Sequence, residues 1–375
     1  MKIEVIQKKF AKALIHINKA ISTTPNIPVL ANVYIEADKD SIKLSSTNLE
    51  IGINATIGAN IQKKGKVTVS AKLLSEFIGT IKPGKLNIYL EGQKLVVEST
   101  DNSAEFFIIP ADDFPSVPEA KGKPLVKINA LEFSKALDKT TFSASTDNSR
   151  PVLTGLLTKI TKRKLTMVGV DGYRLSRKIM KIKDGPEKDF LEIIPAKSLM
   201  EINKIIKDVA GEKDEVEIYK LKDNNQVVFK IDDIELVSRL IEGEFPSFED
   251  ILPEKKDFSF SVLKAELSEA LKVVSIFARN VVGNKTKFAV NAEKAKLLMK
   301  VLVVDIGKNE TFVDIAKVEG DDLETAYNAR FLQDMITAME GEEIIYETTG
   351  ATSPGVFKDK KDKDYLHIIM PMRLE

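Results

Sequence analysis

Apolar residues along the chain recur in two rhythms, one with the spacing of a helix and one alternating like a strand. The helical rhythm is written three times in nearly the same words: SAKLLSEFIGTI from Ser70, PAKSLMEINKII from Pro195 and NARFLQDMITAM from Asn328, starting 125 and 133 residues apart. Each copy opens on a Ser, Pro or Asn suited to a cap or first turn, continues with Ala and a cation, and then places apolar residues on one side. In the first copy Leu73, Phe77, Ile78 and Ile81 are expected to share that face. A second helical phrase precedes each copy. Phe10 with Ala13 and Leu14, Phe133 with Ala136 and Leu137, and Leu267 with Ala270 and Leu271 form the same i, i+3, i+4 triplet, each after a short β-like run, KIEVI, LVKIN or FSFSV.

Two phrases repeated in one order at similar spacing mark an internal repeat. A looser third phrase, FFIIPADDFPSVP from Phe106 and SRLIEGEFPSFEDILP from Ser238, leads from a strand into a Pro-rich exit, and YLHIIMPMRL near the end is its last version. The polar, Pro-containing stretches PEAKGKP (Pro118 to Pro124) and LPEKKD (Leu252 to Asp257) read as linkers. They predict three domains, 1–120, 124–252 and 253–375. The rest of each third reads as many short strands joined by turn residues such as Asp223, Asn224 and Asn225. Two helices cannot cover both faces of a large parallel sheet, so the predicted class is α+β, each domain holding two helices and antiparallel sheets.

Composition narrows the function classes. The chain has 375 residues, 43% hydrophobic and 30% charged, with 56 basic against 56 acidic, the balance of a globular protein. Zero net charge argues against wholly non-specific nucleic-acid binding through bulk positive charge, while leaving room for charges sorted by face. There is no cysteine, which removes disulfides, thiolate catalysis and Cys-ligated zinc. No apolar run approaches the roughly 20 residues of a membrane span, and MKIEVIQKKFAKAL lacks the apolar core of a signal peptide, so the expected location is cytoplasmic.

Candidate chemistry is sparse. His16 falls in the opening helix and His367 in the final strand, positions where a histidine is ordinarily structural. There is no G-x-G-x-x-G or phosphate loop; GNKT at Gly283 lacks the Gly-Lys pair. Asp112 and Asp113 are adjacent on a turn-like exit and point apart. No cofactor or metal is implied. Two features stand out. VGVDGYRLSRK, from Val168, places Asp171-Gly172 as a turn between strand-like runs, with Tyr173 and Arg174 expected exposed. The tail HIIMPMRLE is apolar on both sides of a proline where termini are usually polar, and Met370 and Met372 suit a surface that accepts varied partners.

These segments together, with SRPVLTGLL, GEFPSFEDILP and the terminal MPMRL, resemble the bacterial sliding clamps, the beta subunits of DNA polymerase III, over the whole chain and in the same order. The resemblance implies three domains of one fold, two protomers joined head to tail in a closed ring, helices lining the hole and sheets outside. It implies as partners double-stranded DNA without sequence preference, a second copy of the chain, the replicative polymerase, the clamp loader and other proteins carrying a clamp-binding peptide. A ring that slides needs cations without base-specific contacts. The helix starts supply Lys72, Lys197 and Arg330, and the opening helices add Lys8, Lys9, Lys12, Lys264 and Lys272.

The resemblance further implies a ring contact of Phe106 and Ile108 against Ile276 and Phe277. It implies a partner-peptide groove lined by Leu153, Val170, Gly172, Tyr173, Arg174, Leu175, Pro246 and Ile251, completed by Asn328, Phe331, Ser353, Met370, Pro371, Met372, Arg373 and Leu374. The chain departs from the pattern in places. Tyr173 stands where many relatives have histidine, and Asp250 where some have arginine. The loop from Ser22 to Pro28 carries no cation and Asp147 is acidic, leaving Arg150 as the loop residue for DNA. The KDKKDKD run from Lys358 is expected to be a solvated hairpin tip. Two other classes stay open on the residues alone: an enzyme using Asp171, Tyr173 and Arg174, and a repeat-built protein scaffold that never meets DNA.

Overall fold

The computed structural model describes residues 1–22, 27–221, 225–253 and 255–374. Among them are six α-helices: α1 Gln7–Ile17, α2 Ala71–Thr80, α3 Ala130–Thr140, α4 Ala196–Val209, α5 Lys264–Ala278 and α6 Ala329–Ala338. Every one begins at the residue following a strand; α2 follows Gly65–Ser70 and α6 follows Leu323–Asn328. The thrice-written phrase is therefore a strand end running into a helix. Asn328 caps α6, its Oδ1 accepting the Arg330 N–H at 2.9 Å, and Asn129 Oδ1 accepts from Glu132 N–H at 3.1 Å at the start of α3. Ser70 makes no such bond, and Pro195 closes its strand instead of opening a helix.

The expected core triplets are all buried: Phe10, Ala13 and Leu14, then Phe133, Ala136 and Leu137, then Leu267, Ala270 and Leu271. The face expected for α2 is corrected by one row. Ala71, Leu74 and Ile78 are buried with Ile81 behind them, whereas Leu73 is 54% exposed and Phe77 lies at the margin. Two i, i+4 rows lie side by side on this helix, and the strand feeding it aims the 74–78 row inward.

All strand pairings are antiparallel, in one thirteen-stranded and one twelve-stranded sheet. Compactness divides the chain into two units, Met1–Ser134 with Lys197–Leu240, and Lys135–Ala196 with Ile241 onward. The division cuts the middle third because its strands extend both sheets. In the first unit Ile234–Arg239 pairs with Ile51–Gly58, Leu236 opposite Ile53. In the second, Arg174–Lys181 pairs with Tyr365–Ile369, Leu175 opposite Ile368. The first unit is sealed by α1 against α2, with Gln7 Nε2 donating to the Ile78 carbonyl at 2.6 Å. The second is filled by rings: Phe260, Phe288, Tyr327, Tyr346 and Phe357 are buried together, and the Tyr327 and Tyr346 hydroxyls meet at 2.8 Å. Each such side chain contributes roughly 1.5–3 kcal/mol through burial.

The hairpin tip near the end is solvated at Lys360, Lys361, Lys363 and Asp364, as expected, but not at its other two acids. Asp359 is buried and accepts the N–H groups of Glu340, Gly341 and Lys361, while Asp362 binds Lys178 Nζ at 2.6 Å and Lys139 Nζ at 2.5 Å. Lys139 is 3% exposed, so Asp362 is drawn inward to neutralise a buried cation, while Asp364 stays exposed. Asp223 and Asn224 lie outside the described residues, as does most of the Ser22 to Pro28 loop; Asn225 has the positive φ of a turn residue, 47°.

Candidate partner groove and nucleic-acid face

The strand Lys164–Val170 returns as Arg174–Lys181 through Asp171, Gly172 and Tyr173. Gly172 sits at φ +94°, a conformation that favours glycine. Asp171 Oδ1 accepts the N–H groups of Tyr173 and Arg174, each at 2.9 Å, so this carboxylate builds the turn. Tyr173 is 68% exposed as expected. Arg174 is not. Its Nε donates to Asp171 Oδ2 at 2.9 Å, Nη1 to Asp334 Oδ2 at 2.5 Å and Nη2 to the Phe142 carbonyl at 2.7 Å. The guanidinium lies 4.3 Å from the centre of the Phe331 ring. Its charge is spent in tying the turn to α6 and to the Phe142 carbonyl, and the Asp171 carboxylate is spent on the turn and on Arg174.

Leu153, Val170 and Leu175 are buried in one cluster with Val168, Phe248, Val356, Leu366 and Ile368, and Ile251 and Leu252 pack on it half-buried. Pro246 and Asp250 are exposed beside this floor, Asp250 within the short helical turn Glu249–Ile251. The tail completes the rim. Met370 donates its N–H to the Tyr173 carbonyl at 2.8 Å and Met372 donates to the Ala326 carbonyl at 2.8 Å, so the chain after the final strand is pinned on both sides of Pro371. Met370 is 38% and Leu374 46% exposed, and Arg373 is exposed. Lys285 Nζ reaches the Arg373 and Leu374 carbonyls at 3.3 and 3.4 Å. The Met372 side chain rests against Gly283, where a Cβ would come within 2.7 Å of its Cε. Phe331 forms the floor beneath Arg174, Asn328 spends its Oδ1 on the α6 cap, and Ser353 lies in the turn its N–H closes onto the Gly350 carbonyl at 3.1 Å. Sequence reasoning missed Phe142, Phe248, Asp334 and Ile368. Phe248 was signalled by the apolar spacing of EFPSFEDIL, whereas Asp334 looked like any polar residue of α6.

Behind the turn, Ser143 Oγ meets Ser176 Oγ at 2.7 Å and Ser176 Oγ meets His367 Nδ1 at 2.7 Å. The array imitates a nucleophile and its base, but all three residues are sealed from solvent. Burial, helped by the Arg174 charge, pushes the His367 pKa down to about 3, so it stays neutral and structural. His16 is also buried, 3.2 Å from Asp208 without hydrogen-bond alignment; burial lowers its pKa against the opposing pull of that carboxylate. Among the described residues no group of three His, Asp or Glu could hold a metal, and no helix is long and apolar enough to cross a membrane.

The helices carry a cationic surplus, twelve Lys and Arg against eight Asp and Glu, although the whole chain balances at 56 each. Helix α1 has no acid at all. Lys8, Lys9, Lys12, Lys72, Arg150, Lys197, Lys272 and Arg330 are exposed, and none has an ion-pair partner among the described residues. Strand lysines are mostly paired: Lys85 with Glu4 at 2.9 Å, Lys287 with Glu324 at 2.6 Å, Lys66 with Asp112, Lys94 with Glu105. Lys264 departs from the expectation of a free cation, since its ammonium donates to the Met339 carbonyl at the end of α6.

The residues expected at the ring contact differ in exposure. Phe106 is 4% exposed and packs edge-on against Phe77 at 5.7 Å, while its neighbour Phe107 is 82% exposed, because successive strand residues face opposite ways. Ile108 and Phe277 are half-buried and Ile276 is 54% exposed. Unforeseen were Val304 at 78%, Ile306 at 66% and Phe312 at 63% exposure. Two strand edges are also half open. Among the described residues, Ser103–Phe107 is bonded along one side only, to Lys94–Glu98, and Gly307–Asp314 along one side only, to Lys296–Val303.

Three consecutive family descriptions match the chain: the N-terminal domain of the DNA polymerase III beta subunit over residues 1–118, its central domain over 127–247 and its C-terminal domain over 249–373. The beta sliding clamp of Synechococcus elongatus is 26% identical over 381 residues, covering 100% of both chains, and that of Staphylococcus aureus 27% identical over 365 residues, covering 95% and 94%. Among solved structures, the DNA polymerase III beta subunit of Thermotoga maritima superposes with a TM-score of 0.91 at 25% identity, and the sliding clamp of Bacillus subtilis with 0.94 at 23%, each covering 100% of both chains. Six strand-led helices, all-antiparallel sheets and a full-length match in all three parts lead to one conclusion: the chain belongs to the DNA polymerase III beta-subunit family, the sliding clamps.

Proposed function

We propose that two copies of this chain close head to tail around duplex DNA and hold the replicative polymerase on it, with the clamp loader and other partners docking on the same groove, in the cytoplasm and without catalysing a reaction. The observation that carries this reading is the sorting of charge. Lys8, Lys9, Lys12, Lys72, Lys197, Lys272 and Arg330 on the helices have no ion-pair partner among the described residues, while most strand lysines are paired with acids, which suits a helix face turned to phosphates and a sheet face turned to solvent. The three domains are 1–120, 124–252 and 253–375. Membership of the clamp family does not favour a scaffold that never meets DNA.

Ring closure is assigned to the two half-open edges. One protomer's Ser103–Phe107 would add to its partner's Gly307–Asp314 as a neighbouring strand, covering the outward Phe107 with the partner's exposed apolar residues near Ile276 and Phe312. Such a contact is heterologous and ends as a ring only because the rotation closes. Polymerase and loader peptides with an apolar-aromatic anchor would enter the groove above Leu153, Leu175 and Ile368 between Tyr173 and Met370.

The test is retention on nicked circular DNA after loading, before and after the circle is cut open. Loss on linearisation alone is the expected result, and equal retention on both forms would replace topological linkage by ordinary surface binding.

A further inference from the structure

Next to the groove floor, on the same face of the sheet, lies a cleft of about 710 Å³ lined in part by Leu252, Pro253, Lys255 and Lys256. Strand register sets the adjacency. Leu175 stands opposite Ile368, and Ile368 opposite Val356, which makes the floor row of the groove. Two residues along each strand, Arg177 stands opposite Leu366, Leu366 opposite Lys358, and Lys358 opposite Ile345, which makes the floor of the cleft. Residues i and i+2 share a face, so the two rows are about 6–7 Å apart. Leu252, Val356 and Leu366 belong to both the groove cluster and the cleft lining, so the apolar floor is continuous.

The rim is cationic. Lys256, Lys358 and Lys360 are balanced by Glu319, Glu347 and Glu343. Lys255 and Lys363 are exposed and have no ion-pair partner among the described residues. Arg177 has a buried Nε with no hydrogen-bond partner, a donor that lacks an acceptor. Of the acids among the described lining residues, Glu347 is paired with Lys358 and Asp359 is filled by three backbone N–H groups, while Asp364 and Glu249 act on the Arg177 charge from beside the cleft. Tyr365, its only aromatic among the described lining residues, is 1% exposed and offers no platform for stacking a base. An apolar floor under lysines, without an aromatic surface, suits carboxylates on a peptide better than a nucleic acid.

We propose that this cleft receives acidic side chains of the same partner peptides whose apolar-aromatic anchor occupies the groove, an inference that rests on the groove reading. An extended peptide covers the distance between the rows in two residues, so the acids fall within about two to five residues of the anchor. The experiment compares two fluorescein-labelled peptides with one leucine-phenylalanine anchor, flanked by aspartates in one and by asparagines in the other. Each is titrated at low salt against the full chain and against the exposed double variant Lys255→Glu, Lys363→Glu. The expected result is an acidic peptide bound roughly three- to tenfold tighter by the unaltered chain, with that preference lost in the variant and the neutral peptide's affinity unchanged. A preference that survives the charge reversal, or no preference at all, overturns the cleft. Displacement of the acidic but not the neutral peptide by short duplex DNA also overturns it, in favour of a phosphate site. Binding by neither peptide overturns the groove reading as well, whereas binding of the neutral peptide without preference sinks only the cleft.

Discussion

The guanidinium of Arg174 lies 4.3 Å from the centre of the Phe331 ring, with Nη1 bonded to Asp334 one helical turn further on. One side chain thereby joins the Asp171–Gly172 turn to α6 and sets the distance between the two walls of the groove.

Replacing Arg174 by Ala should cost about 3 kcal/mol in stability and abolish peptide binding, because the substitution strands Asp334 and opens the Phe142 carbonyl. Arg174→Lys should recover little of either, since an ammonium cannot reproduce three directed bonds and a stacked plane. Urea denaturation and peptide titration on the same two variants check this.

Phe107→Asp and Phe312→Asp should each yield monomers that melt at nearly the normal temperature, as both rings are exposed. Phe106→Ala should behave in the opposite way, losing about 3–5 kcal/mol of stability through the cavity left beside Phe77. Sedimentation at several concentrations together with thermal melting separates the two effects.

Removing the α1 cations by the triple change of Lys8, Lys9 and Lys12 to Ala should weaken DNA binding equally for all sequences. The slope of log affinity against log salt should become shallower by about 0.9 for each lysine that meets a phosphate. An unchanged slope would exclude α1 from the DNA face.

Stability should fall with acid below neutrality, in part through His367. Its folded pKa of about 3 lies below the ordinary histidine value, so between the two only the unfolded chain takes up the proton. The native state then loses up to about 1.4 kcal/mol per pH unit as pH drops from the unfolded value toward the folded one. The contribution is fully present above about pH 6.5. Stability of the His367→Gln variant, measured by urea denaturation across that window, should show a slope reduced by about one proton.

Much of this architecture is legible in the chain. The Phe10, Phe133 and Leu267 triplets mark buried helix faces in three successive thirds, and all nine of their residues are buried. Burial must follow helical spacing wherever a helix lies on a sheet, so three repeats of the spacing announce three repeats of the layer. The turn at Asp171-Gly172 was equally plain, because a carboxylate capping two N–H groups and a residue at φ +94° are local requirements that sequence states directly.

Phase and partner were not legible. Phe106 and Phe107 are the same residue type in the same strand, yet one is core and the other surface, and a shift of one residue would exchange them. Leu73 and Leu74 pose the same ambiguity in α2, with Leu74 the buried one. Asp362 reads as one more charge in a solvated run, but the fold brings Lys139 to it from more than two hundred positions away. The sequence by itself determined where helices and turns form, that the pattern occurs three times, and that no thiol or phosphate loop is present, because these depend on neighbours along the chain. Only the tertiary structure decided which phenylalanine faces outward, that Arg174 is spent on Asp334, and that the groove floor continues into a cationic cleft. Those are set by strand register and by contacts between distant segments, which local spacing does not encode.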